Sequence, residues 1–197
     1  MNAMESPSAL GPDARSESPT RSTDDPGLVA LFSATETQSG RTLLALLDEQ
    51  PMMLFFLRHL GSLWTRTTLA GAANALPALE KRGVRPVFVH MAGGGQAAPL
   101  FKRYHLEAAE RVADPTCHLY TAPVFHLLKT TGVKEFLGPQ AYWKLAKRSL
   151  LRHGIGRSGN EDATQLPGIF FLQDRAIHRA FRPKRISDRL EYGRFGA

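Results

Sequence analysis

Arg58-His59 is followed three residues later by Ser62 and, one helical turn further on, by Thr65 and Arg66. A hydroxyl set among an imidazole and two guanidinium groups can do two kinds of chemistry. As a nucleophile, Ser62 needs an adjacent general base and a third group to orient it. His59 is the candidate base, but no acidic residue lies nearby in sequence to hold its ring. As a binding element, Ser62 is an N-cap at the start of a helix, Thr65 caps or packs in the first turn, and Arg58 offers its fork of donors to a carboxylate or phosphate. Helix N–H groups beside that guanidinium would make an anion site, the alternative being a plain salt bridge at the strand end.

Other chemistry is poorly supported. Gly93-Gly94-Gly95 falls between an expected strand and an expected helix, yet lacks the Gly-Lys-Ser/Thr ending of a phosphate loop and the dinucleotide spacing. The seven histidines show no metal-ligand spacing, so neither metal nor cofactor is expected. Cys117 is the single cysteine, which excludes an intramolecular disulfide and a Cys-based zinc site within this chain. It follows Asp114-Pro115-Thr116 at an expected helix start, where a thiol pKa can fall, although free cysteines are also among the most buried residue types.

The elements that position these residues follow from periodicity. Residues 1–27 are rich in Ser, Pro, Asp and Thr and predict a flexible tail. Leu43, Leu44, Leu46 and Leu47 predict a short amphipathic helix, and Met52–His59 a continuous apolar strand buried on both faces. Ser62–Arg82 reads as a helix stopped by Gly83, and Arg85–Met91 as a second buried strand. A helix around Gln96–Tyr104, a short strand at Val112–Ala113 and a helical segment from Asp114 through Leu128 come next. Residues 132–160 read as an insertion with one basic helix, Gln140–His153. Strands at Ile169–Gln173 and Ala176–Arg182 form a closing hairpin before a last turn at Ser187–Tyr192. Strand, helix, strand, helix and hairpin give an α/β fold, a central mixed sheet with helices on both faces. Ligands in such sheets sit at the carboxyl ends of the strands, which here means the loop carrying Arg58 to Thr65.

The 197 residues carry 25 Lys and Arg against 18 Asp and Glu. Residues 1–27 are net −3, so the remaining 170 carry +10, with 13 bases against 6 acids from Lys134 onward. That surface suits anionic ligands or acidic partners, but no nucleic-acid motif accompanies it. The longest strong apolar run, Met52 to Leu57, is far short of the roughly 18 residues that span a bilayer. No signal-peptide pattern opens the chain, and the expected compartment is the cytoplasm.

Four features in order resemble a thioredoxin-fold family. Arg58-His59-Leu60-Gly61-Ser62-Leu63-Trp64-Thr65-Arg66 is similar to the Arg-His-Phe-Gly-Cys-x-x-Cys-Arg segment of the selenoprotein-U-like branch of the peroxiredoxin-like (alkyl hydroperoxide reductase/thiol-specific antioxidant, AhpC/TSA) superfamily. Val87-Phe88-Val89-His90-Met91, Asp114-Pro115 and Leu166-Pro167-Gly168 match its later motifs. The resemblance covers Leu28 to Tyr192 and implies a thioredoxin-like domain over 28–197. It implies that Leu166 and a cis Pro167 face the active-site loop as one pocket wall, with Trp64 at the rim. Arg66 is a further substrate-binding candidate, and Tyr142 and Trp143 on the basic helix either form a lid or simply pack that helix.

The family's redox chemistry needs a thiolate at the helix start, and Ser62 and Thr65 stand at both thiol positions. A helix terminus contributes at most about 2 kcal/mol, little more than one pKa unit, which leaves an alcohol protonated. Nor can an oxygen pass through a sulfenic acid or a disulfide. The expected function is therefore a thiol-less relative. It takes a small and anionic organic molecule, or runs a non-redox isomerisation, cyclisation or elimination with Ser62, His59, Arg58 and Thr65. Two alternatives stand beside it. One is a thiol oxidoreductase whose cysteine is changed to Ser62 or replaced by Cys117, and the other a non-catalytic partner protein. A homodimer is compatible with each.

Overall fold

The computed structural model describes residues 25–129, 162 and 164–184. The basic helix, the last turn, and Tyr142 and Trp143 expected at a lid lie outside the described residues.

Helix α1 (Pro26–Ser33) starts where the tail was expected to continue. Asp25 supplies the reason: its carboxylate accepts from the amides of Gly27 and Leu28, and Pro26 occupies the first helical position. Leu28 and Phe32 then bury the inner face. Helix α2 (Leu43–Glu49) is capped by Thr42 and leads directly into β1 (Met52–Phe56), whose five residues are all buried.

Helix α3 (Leu63–Lys81) crosses over to β2 (Arg85–His90). Its C-terminus closes as a Schellman motif, with the amide of Val84 on the Leu79 carbonyl, that of Gly83 on Glu80, and Gly83 at φ +64°. Helix α4 (Ala98–Arg103) then connects to β3 (Glu110–Ala113). Helix α5 (His118–Thr121) is one short turn instead of a segment reaching Leu128, because Pro123 forces Ala122 into an extended conformation. Strands β4 (Gly168–Gln173) and β5 (Ala176–Phe181) form the hairpin.

The sheet order is β3-β2-β1-β4-β5. Strands β1, β2 and β3 run parallel, and β4 lies antiparallel to β1 with Gly168 opposite Phe56. The carboxyl end of β1 and the start of β4 therefore share one edge. Alternate residues of β1 enter two cores: Met52, Leu54 and Phe56 meet α1, α2 and α5, while Met53 and Phe55 meet α3 and α4. This double coverage is why Met52–Phe56 reads as an unbroken apolar run. No described helix is long and apolar enough to cross a membrane.

Phe56 is the aromatic hub of the first core, with ring centroids of Tyr120, Phe125 and Phe170 at 5.1, 4.7 and 5.6 Å. Phe56→Ala should lower unfolding free energy by about 3–5 kcal/mol, read as a shift in the urea midpoint at unchanged slope.

Candidate functional site

Beyond Phe56 the chain leaves the sheet while still inside the protein, and its peptide groups need partners there. The Leu57 amide bonds the Val89 carbonyl at 2.9 Å, and the Leu57 carbonyl accepts from the Tyr120 hydroxyl at 2.6 Å. The next two carbonyls, of Arg58 and His59, accept from the Thr65 hydroxyl at 3.0 and 3.2 Å. Thr65 has no exposed surface. Its hydroxyl thus ties the first turn of α3 back to the strand end and faces peptide carbonyls.

Ser62 is the N-cap of α3. Its Oγ accepts from the Trp64 amide at 3.2 Å and from Arg58 Nη1 at 3.4 Å, while its own amide donates to the His59 carbonyl at 2.9 Å. The hydroxyl proton of Ser62 is assigned to neither bond, since the oxygen accepts in both. Arg58 is 3% exposed, and its Nε donates to the Gln165 carbonyl at 3.3 Å. That bond joins the loop to the segment entering β4, as the shared sheet edge requires. Gln165 is fully buried, and its amide nitrogen donates to the Leu128 and Leu166 carbonyls at 3.2 Å each.

Leu166 and Pro167 are buried at this edge. No cis peptide bond occurs among the described residues, so Pro167 departs from the expected cis form and takes the trans geometry that X-Pro bonds ordinarily prefer. Trp64 is half-buried. Arg66 is 7% exposed; at Tyr104, the C-cap of α4, burial pushes the phenol up while the charges of Arg103 and Arg66 oppose that rise. The structure thus brings together Arg58, His59, Ser62, Thr65 and the segment 165–167. It adds Gln165 and Tyr120, for which the sequence held no motif; Gln165 is marked only by standing next to Leu166-Pro167.

Burial acts on two imidazoles, His59 in the loop after β1 and His90 at the end of β2. His59 Nδ1 is buried without a hydrogen-bond partner, and burial, then the adjacent Arg58, holds the imidazole below its usual range. His90, at the carboxyl end of β2, is driven by burial to about 4 and lies with Nδ1 at 3.1 Å from the Ala92 carbonyl oxygen. Among the described residues no group of three or more His, Cys, Asp or Glu is placed to hold a metal.

No family model and no curated protein matches the chain. Solved structures do. A cysteine-to-serine variant of peroxiredoxin Q from Xanthomonas campestris superposes with a TM-score of 0.53 at 14% identity, over 78% of this chain and 82% of that one. A cysteine-to-serine variant of peroxiredoxin 6 from Arenicola marina gives 0.51 at 12%, over 82% of this chain and 66% of that one. This chain thus spans just under two thirds of the Arenicola protein. The fold is that of the peroxiredoxins.

On this peroxiredoxin fold, Cys117 stands apart from the helix terminus. It is the N-cap of α5 at φ +58°, half-buried against the first core. Burial pushes its thiol up, and Asp114 and Asp162 add to the rise against the opposing pull of Lys129. Native-state alkylation of Cys117 by iodoacetamide at pH 7.0 should accordingly run slower than that of a free thiol of pKa about 8.5. Mass spectrometry against the urea-unfolded protein checks this.

The depressed histidines also set a pH dependence. Below about 6.5 the unfolded imidazole of His90 takes up a proton that the folded one refuses until about 4. Its contribution is complete above 6.5 and is lost as pH falls through that window, about 3 kcal/mol in all. His59 acts in the same direction. His90→Gln should flatten the plot of unfolding free energy against pH between 6.5 and 4.5.

Proposed function

We propose that this chain is a thiol-less protein on a peroxiredoxin scaffold, related to the selenoprotein-U-like branch of the AhpC/TSA superfamily. In this reading its former redox site binds a small organic anion and promotes a non-redox step of the isomerisation, cyclisation or elimination type. The supporting observation is the occupancy of the helix terminus. Ser62 Oγ receives the Trp64 amide and Arg58 Nη1, the two donors that would otherwise stabilise a thiolate there.

In such a step Arg58 and the Ser62 hydroxyl stabilise negative charge on a substrate oxygen. Neutral His59, held in that state by burial and by Arg58, is the proton acceptor. Thr65 acts on the backbone and holds the loop. Trp64, Leu166 and Pro167 supply apolar walls. Cys117 does not replace the missing thiol in this reading, because its raised pKa leaves little thiolate at neutral pH.

Two measurements check the proposal. Peroxide consumption coupled to thioredoxin or glutathione should stay at background, and turnover surviving Cys117→Ala would refute the non-redox reading. A series of aliphatic and aromatic monocarboxylates should shift the amide resonances of Ser62 and Trp64, and Arg58→Met should abolish those shifts. Equal binding of the matching uncharged amides would show that the site does not select an anion.

A further inference from the structure

The Asp114-Pro115 pair plays no part in the proposed chemistry, yet a chain of bonds leads from it to the site loop. We propose that Tyr120 is a positioning residue. Hung from Asp114, its hydroxyl fixes the Leu57 backbone and so sets Arg58 and His59 against the Ser62 helix terminus. The inference rests on reading that terminus as the functional site.

Asp114 follows the last residue of β3, and its amide donates to the His90 carbonyl at 2.8 Å. Its two carboxylate oxygens accept from the amides of His118 and Leu119, each at 2.8 Å. These are the first two amides of α5, a four-residue turn too short to hold itself without such a cap. Tyr120 comes next in that turn, with no exposed surface and its ring edge-on to Phe56. Its hydroxyl lies 2.6 Å from the Leu57 carbonyl oxygen and 2.9 Å from that of Val89, sharing one proton between the ends of two parallel strands.

The Leu57 carbonyl belongs to the peptide unit that carries the Arg58 amide. Fixing it sets where Arg58 departs from the sheet and hence where its guanidinium meets Ser62 Oγ. A phenylalanine would keep the ring against Phe56, so Tyr120→Phe removes the hydroxyl that reaches the two carbonyls. Its loss removes that donor from the buried Leu57 carbonyl, while the Val89 carbonyl keeps the Leu57 amide, and the loop is free to move toward water.

Tyr120→Phe tests this because the ring stays in place. The first readout is the imidazole titration of His59 by NMR, assigned with His59→Gln. Burial and Arg58 together hold that midpoint down, so release of the loop raises it toward 6.5, by about half a pH unit or more, a roughly threefold change in protonated fraction at fixed pH. The second readout is the thiolate absorbance of Ser62→Cys in a Cys117→Ala background. There Tyr120→Phe should raise the thiol midpoint, because the Arg58 donor moves away.

Asp114→Asn should also raise both midpoints. Removing its negative charge would by itself lower them, so a rise reports geometry instead of the field. A Tyr120→Phe protein with a lower Tm but both midpoints unmoved would make Tyr120 merely structural and overturn the inference. A Ser62→Cys thiol titrating at or above about 8.5 overturns the site reading instead, and the His59 titration still decides the positioning.

Discussion

Three consecutive peptide carbonyls govern this structure: those of Leu57, Arg58 and His59, where a strand buried on both faces ends inside the protein. The sheet no longer serves them, and Leu57 and Arg58 are buried while His59 is half-buried. Each unmet buried acceptor would cost about 1–3 kcal/mol. Side-chain hydroxyls reach all three, Tyr120 the first and Thr65 the second and third, and the Ser62 amide also donates to the His59 carbonyl. Tyr120 reaches 63 residues back along the chain and Thr65 only seven and six. The conformation of the candidate site is therefore set partly by its own helix and partly by the far side of the molecule.

Ser62 and Thr65 are one turn apart but differ in what their oxygens do. Thr65 donates to the strand end, whereas Ser62 accepts from the Trp64 amide and from Arg58. The Trp64 amide and Arg58 Nη1 are both directed at Ser62 Oγ.

A second linkage runs through Gln165. Lys129 pairs with Asp162 at 2.8 Å, and the Leu166 amide donates to the Leu128 carbonyl at 3.0 Å, so the two ends of the intervening segment are fastened together. The exposed Lys129–Asp162 pair contributes little by itself, whereas the buried amide bonds of Gln165 hold this junction. From the same residue the backbone carbonyl receives Arg58 Nε. Arg58 is thereby held at both ends of its guanidinium, by the segment entering β4 and by the helix cap.

The sequence by itself determined the layers. Met52–Phe56 and Arg85–His90 are strands because their apolar runs have strand length and turn signals at both ends, and α3 ends where Gly83 permits a left-handed residue. Asp25-Pro26 was a legible helix start as well, hidden only by the tail-like composition before it. Ser62 and Arg58 were legible because local spacing places them at a strand-to-helix loop. Tertiary structure alone decided the rest. No periodicity indicates that Tyr120 bonds Leu57, that Gln165 accepts from Arg58, or that Thr65 turns its hydroxyl onto two carbonyls. These bonds exist because particular buried acceptors lacked donors, and which side chain arrives there depends on how distant elements pack, a property that no local window of sequence contains.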